Sequence, residues 1–345
     1  MSNLFMRDYT ERVKIGVVGV GAHCYRNILP CLTFLPVDLI AVCDINEDTA
    51  KKTAKQYGCE YYTNTQAMYE KADIEAVLIC VSPQLHPKLV CEAFEAGLHV
   101  WVEKPVSMRA YEVEEMIKCR SDRIGVVGFK KAFMPVTEKA VEIAQSEKYG
   151  NLQSILGIYP MSIPDNGEKL LEEKQFINWL ANGVHPLSFF LEVGGKVAAV
   201  RAETNKNGHG TFTIHFKSGI IGSLHLAAGP LPMENYNLYG EGWHLDIQNN
   251  NKVTLYHTAP GGDGHSSFIN DNPSGGAVMW EMQNCLASIE SKLLFTQGFY
   301  GELKYFCDCV LNGQIPVKGS LEFALELMKV YEAGLVSHGD LIEIV

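Results

Sequence analysis

Short apolar runs alternate with amphipathic stretches over the first third of the chain. Residues 13–18, 37–43, 76–81, 98–102 and 124–129 are apolar and rich in β-branched side chains, and 60–62 forms a shorter run. Runs of this length and composition read as strands, those with no polar face as strands buried on both sides. Between them, 22–34, 46–57, a segment before 76, 87–96 and 110–119 carry helical patterns. Pro87 sits in a first turn, where proline is tolerated, and Gly97 follows a helix end. Strands and helices alternating at this spacing predict an α/β fold: a doubly wound parallel sheet with ligands at the carboxyl ends of its strands.

Past residue 129 the pattern changes. A helix is expected over 136–148, a strand over 152–159, a loop holding Pro160, Pro164 and Gly167, and a long helix over 172–191. Short strands follow at 197–204, 210–216, 220–227, 236–240, 243–247 and 252–257, punctuated by Gly, Asn and Pro, a spacing that suggests antiparallel neighbours. A Gly-, Ser- and Asn-rich loop over 260–276, helices over 278–292, 298–311 and 321–332, and a strand over 341–345 complete the chain. The expected organisation is a nucleotide-binding domain over 1–129 and an α+β domain with a mostly antiparallel sheet over 130–345.

The candidate chemistry lies at strand ends. The first strand runs into Gly19-Val20-Gly21-Ala22-His23-Cys24, and the second stops at Asp44. A helix N-terminus holds a pyrophosphate with unpaired amides and its positive dipole end, provided no side chain blocks the approach, and glycines at 19 and 21 clear it. An acidic residue some twenty positions on accepts hydrogen bonds from a ribose. Asp44 would repel a 2′-phosphate, and Ile45 and Asn46 beside it offer no cation, so NAD is expected in preference to NADP. Cys24 stands where a third glycine is usual, which predicts a slightly wider gap between helix and strand. Two further strand ends, Ser82-Pro83-Gln84-Leu85-His86 and Glu103-Lys104-Pro105, fall on the same sheet edge as the glycine turn, and that convergence outweighs any single motif.

At 345 residues, with 47% hydrophobic and 20% charged side chains, the chain has ample core for two domains. Its net charge of -11, without a basic patch, argues against a nucleic-acid or acidic-membrane partner. Residues 1–12 are polar and no run is long enough to span a bilayer, so a cytoplasmic protein is expected. The ten cysteines are scattered, several in apolar elements (Cys43, Cys80, Cys91), and read as free buried thiols. Cys307-x-Cys309 has no second pair, and no metal is expected.

These residues resemble the glucose-fructose oxidoreductase, inositol dehydrogenase and MocA (Gfo/Idh/MocA) family of NAD(P)-dependent enzymes, over nearly the whole chain. The resemblance rests on the turn at 19–24, on Asp44, on Ser82 to His86, on the string 97–105 ending Glu103-Lys104-Pro105, and on 299–313 and 321–339. It implies a Rossmann domain plus a mostly antiparallel sheet whose open face forms a homodimer or homotetramer. It also implies cofactor contacts from Gly19, Gly21, Ala22, His23, Cys24, Asp44, Ser82, Pro83, Gln84, His86, Glu103 and Lys104, and a catalytic Lys104 beside the nicotinamide. The family places a histidine on a helix of the second domain in a pattern like Asp-x-Gly-x-His. Here the match is Ala181-Asn182-Gly183-Val184-His185, with Ala181 in place of the aspartate, which puts the usual proton relay in doubt.

Asn178, Asn182 and His185, at i, i+4 and i+7, share one helix face. Histidine, with an ordinary pKa of about 6.5, is suited to take an alcohol proton at neutral pH. Lys104 would stabilise the alkoxide, or act as the base itself if burial kept it neutral. The substrate implied by the resemblance is a sugar, sugar acid or cyclitol, with Tyr159, Trp179 and Trp243 available as apolar faces, though each also suits core packing. Two alternatives stay open: transient oxidation that permits elimination or glycoside cleavage without net redox, and a cofactor- or sugar-sensing regulator on the same fold.

Overall fold

The computed structural model describes residues 9–230, 233–257, 276–282, 288–289 and 291–345. The chain divides into two units. The first runs through Lys130 and takes back Gly298–Leu325; the second comprises Lys131–Gln297 and Glu326–Val345.

In the first unit the apolar runs form β1 (Val13–Val18), β2 (Val37–Cys43), β3 (Glu60–Tyr62), β4 (Ala76–Ile79), β5 (His99–Glu103) and β6 (Gly125–Gly128). All neighbours are parallel, in the order β3-β2-β1-β4-β5-β6. The winding reverses between β1 and β4, which opens a crevice at their carboxyl ends. Local chemistry fixes the helices. Asn46 caps Glu47–Tyr57 by accepting from the Thr49 amide, and Gly58 closes it at φ 73°. Asn64 caps Thr65–Lys71 in the same way. The helix Phe299–Asn312 packs on β1, β5, β6 and the turn Leu29–Leu32.

The second unit is a nine-stranded sheet built from β7 (Leu152–Pro160), β8 (Val197–Thr204), β9 (Gly210–Phe216), β10 (Ile221–Ala227), β11 (Asn235–Gly240), β12 (Trp243–Gln248), β13 (Lys252–His257), β14 (Gly276–Glu281) and β15 (Ile342–Glu343). Its order is β14-β13-β12-β11-β7-β10-β9-β8-β15, antiparallel throughout except for β7 with β10. The helix Asn178–Gly194 lies on one face. Gly157 and Gly222 make room for Phe190, since a Cβ at either would come to 2.8 Å from its ring, and Phe189 stacks on Tyr236 with ring centroids 3.9 Å apart. On the other face Ile221, Ser154, Tyr239, His244 and Tyr256 stand opposite one another in a cross-strand row, with the Tyr239, His244 and Tyr256 rings stacked.

A parallel sheet followed by a mostly antiparallel one is the architecture expected from sequence. Several local expectations change. The helix over 172–191 is two helices, Gly167–Glu172 and Asn178–Gly194, interrupted where Lys174 takes a positive φ. The start of the helix expected over 278–292 is the edge strand β14, because Ala277-Val278-Met279-Trp280 pairs with β13 and a short apolar run carries no decisive period. Cys91 is not a free thiol: the helices His86–Glu95 and Ala110–Cys119 bring it to Cys119 at 5.7 Å between Cα atoms, and the two are disulfide-bonded. The loop expected over 260–276 lies, Gly276 apart, outside the described residues.

Candidate active site

β1 ends in the turn the sequence predicts. Gly19 has φ 83°, and its amide donates to the Cys43 carbonyl at 2.8 Å. A Cβ there would lie 2.5 Å from the Cys80 carbonyl oxygen and 2.6 Å from Val81 Cγ1, so only glycine fits. Gly21 is different in kind: a Cβ on it would meet nothing within 4 Å. One glycine therefore serves packing between β1 and the chain leaving β4, and the other leaves open space above the turn. The segment that follows is a π-helical turn, Cys24–Ile28, running into Leu29–Leu32, in place of the single regular helix expected over 22–34. Cys24 is buried.

Asp44 is anchored at the end of β2. Its Oδ2 accepts from the Val20 amide at 3.0 Å and its Oδ1 from the Asn46 amide at 2.9 Å. The carboxylate thus ties the glycine turn to the helix that follows β2, while each oxygen keeps capacity for another donor. Space above the turn, together with an oriented acid at the second strand end, is what a dinucleotide requires, so these residues fit NAD.

The chain leaving β4 carries Ser82 and Gln84, which are exposed and hydrogen-bonded to each other, and buried Pro83. His86 is completely buried. Its Nδ1 lies 3.1 Å and 3.2 Å from the Pro105 and Val106 carbonyls, and its Nε2 lies 3.0 Å from that of Val81. The ring thereby pins the segment after β4 to the Glu103-Lys104-Pro105 corner, and it shapes the site from inside. Burial pushes its pKa below the usual histidine value, against the pull of Glu103 and the carbonyls. Removal of the ring in His86→Ala should cost about 2–3 kcal/mol at neutral pH. The stability that comes from keeping His86 neutral is present above the unfolded imidazole pKa of about 6.5 and is lost as the pH falls from there through the lower folded value. Melting curves at several pH values should therefore show wild type and His86→Ala converging on acidification; a constant gap would contradict this role.

At the end of β5, Glu103 is buried and its Oε1 pairs with His23 Nε2 at 2.7 Å, while Asn27 contacts the other ring nitrogen at 3.2 Å. Lys104 follows, joined to Pro105 by a cis peptide bond. Burial lowers the lysine's pKa, against the carboxyls of Glu103 and Glu302, which raise it. Glu302, on the helix Phe299–Asn312, is wholly buried. No motif marks it in the sequence, because it lies some two hundred residues from the strand ends, in a helix that reads as ordinary amphipathic structure.

In the second unit His185 is buried on the helix Asn178–Gly194. Pro186 next to it lacks an N–H and so removes the bond that the Asn182 carbonyl would accept in a regular helix. Asn182 Nδ2 donates to Asn178 Oδ1 at 2.6 Å, so the two exposed asparagines are each other's partners on that face. Gly183 permits Trp179 to fold against its own helix, since a Cβ there would sit inside the indole. Trp179 is core, donating to the Tyr331 carbonyl at 3.3 Å, and so is Trp243, donating to that of Gly150 at 3.2 Å. Tyr159 is almost buried, and burial raises its phenol pKa, with Glu234 adding to the effect. Glu234 also accepts from Lys131, from Tyr236 at 2.5 Å and from Asn250 at 2.7 Å, a half-buried polar cluster with no motif to announce it.

Residues 13–130 match the profile of the Gfo/Idh/MocA family, described as "Oxidoreductase family, NAD-binding Rossmann fold". An inositol 2-dehydrogenase of Pseudomonas savastanoi is 32% identical over 127 residues, 35% of this chain and 38% of that protein. A dTDP-3,4-didehydro-2,6-dideoxy-alpha-D-glucose 3-reductase of Saccharopolyspora spinosa is 29% identical over 106 residues, 30% of this chain and 32% of that protein. The matches thus span about a third of these relatives' length. Over nearly its full length the fold is that of an oxidoreductase from Agrobacterium radiobacter solved in complex with NAD+, L-tartaric acid and magnesium: TM-score 0.76, 15% identity, 96% of this chain and 98% of that one. The similarity to that oxidoreductase family is thus carried by residues 13–130, the part of the chain that matches its NAD-binding Rossmann fold.

Proposed function

We propose that the protein is an NAD-dependent dehydrogenase that moves a hydride between nicotinamide and a secondary alcohol of a sugar, sugar acid or cyclitol. The observation that carries this reading is the convergence on one sheet edge of an open glycine turn, an anchored carboxylate after β2 and a desolvated lysine after β5. The family profile and relatives named for inositol and for a deoxysugar nucleotide support the substrate class. Asp44, with Ile45 and Asn46 beside it, supports NAD over NADP, because a 2′-phosphate would meet a carboxylate and no cation.

Gly19, Gly21, Ala22, His23 and Cys24 would hold the pyrophosphate, and Asp44 the ribose. Ser82, Pro83, Gln84 and Glu103 complete the cofactor's surroundings, with His86 behind them. When bound, NAD supplies the hydride acceptor. Lys104 stabilises negative charge on the reacting oxygen, and His185 is the group that accepts the hydroxyl proton, help worth ~10²–10⁴ in rate. Asn178, Asn182 and Tyr159 are the proposed substrate contacts of the second unit. A homodimer or homotetramer through the open sheet face is supported by Ile221, Tyr239 and Tyr256, large apolar side chains exposed in one row.

Purified protein mixed with NAD and a panel of polyols, sugars and sugar acids tests the reading. Accumulating reduced nicotinamide with one of them is the expected result. Dehydrated or cleaved sugar without net reduction would point to internal redox, and binding alone to a sensor; either would overturn the proposal.

A further inference from the structure

Glu302 is fully buried, and neither of its carboxyl oxygens has a hydrogen-bond partner among the described residues. Nothing in the proposed mechanism uses it. Its helix packs on the sheet of the first unit, and the first turn faces the same edge as the cofactor residues: Phe299 lies edge-on to the His23 ring at 6.2 Å and under the Lys130 ammonium at 4.7 Å. The titratable groups around Glu302 come from every element packed there. β5 and its turn bring Glu103 and Lys104, the end of β6 brings Lys130, the turn Leu29–Leu32 brings Cys31, and the chain after β4 brings Cys80. The charged side chain of β1, Lys14, is paired with Asp73, and on the helix itself Lys304 is paired with Asp308. Glu103 already has His23.

A carboxylate without hydrogen bonds, out of water and close to a second carboxylate, is strongly disfavoured. We propose that Glu302, an enclosed and unpartnered carboxyl on the helix packed against β5, is a positioning residue for Lys104 whose charge, when present, retains the Lys104 ammonium. The direction of the electrostatics agrees: burial raises the Glu302 pKa, with Glu103 adding to it and Lys130 and Lys104 opposing, while an ionised Glu302 raises that of Lys104. The consequence for catalysis rests on the dehydrogenase reading; the consequence at Lys104 does not.

The test follows acylation of Lys104 by an amine-reactive reagent across pH, read by peptide mass spectrometry, in the full chain and in Glu302→Gln and Glu302→Asp. As the pH falls the wild-type and E302Q curves should converge, because burial favours the uncharged carboxyl at 302. On the alkaline side Lys104 in E302Q should react about fivefold faster or more, having lost the carboxylate that holds its proton, while E302D follows wild type. The alkaline limb of kcat/KM should move to lower pH in E302Q, a change that loss of packing alone would not produce. Superimposed Lys104 curves overturn the proposal. If E302Q does not fold, the Lys104 curve of Glu302→Ala decides instead, with the same alkaline displacement expected and superposition on wild type again overturning the proposal. A displaced Lys104 curve in a protein that turns over no polyol would sustain the coupling and count against the dehydrogenase reading instead.

Discussion

Lys104→Ala abolishes turnover and leaves NAD binding in place: that is the expected result, with a loss of about 10²–10⁴ in kcat/KM. The side chain stands at the end of β5, beside a buried glutamate that has its own partner in His23. Loss of a partly buried ammonium whose pKa burial already depresses removes a desolvation cost along with a favourable charge, so the melting temperature should move little. The glycine turn and Asp44 are untouched. Calorimetric NAD binding beside steady-state rates checks both halves; an active variant removes Lys104 from the chemistry.

The second large effect separates two glycines that a motif treats as one. Gly19→Ala should cost about 3 kcal/mol or more, since the residue keeps a positive φ and its methyl would press on the Cys80 carbonyl and Val81. Gly21→Ala should leave the melting curve within about 0.5 kcal/mol of wild type, because nothing lies within 4 Å of the new methyl. It should nevertheless weaken NAD binding by about tenfold or more, as the methyl occupies the space a pyrophosphate needs and ~1.4 kcal/mol is already a factor of ten. Unfolding scans and NAD titrations of the two variants decide it. Equal damage to stability, or undiminished NAD affinity in Gly21→Ala, would show that the open space above the turn is not the phosphate site.

The first sheet was legible because a parallel strand buried on both faces is an apolar run, and its helices carry their own signals, such as Asn46 and Gly58 on Glu47–Tyr57. The glycine turn, Asp44 and the strand-end tripeptide could be placed because topology sends every carboxyl end of a parallel sheet to one edge. Less legible was anything decided by packing between distant segments. The sequence offers no sign that the His86 ring is enclosed by three carbonyls, that Cys91 meets Cys119, or that Glu302 is carried under the β5 corner by a helix far along the chain. The segment 277–280 reads equally as strand or helix until β13 supplies hydrogen bonds. Gly183 belongs to a family pattern, yet its place here follows from steric need, because Trp179 fills the space a side chain would take.

Direct transfer between substrate carbon and nicotinamide is the claim on which the rest stands. A polyol or sugar that reduces NAD in the panel, deuterated at its carbinol carbon, should deliver that deuterium to the nicotinamide ring, as read by mass spectrometry of the reduced cofactor. Reduced cofactor free of deuterium, with the label found in solvent or still on the sugar, would contradict it.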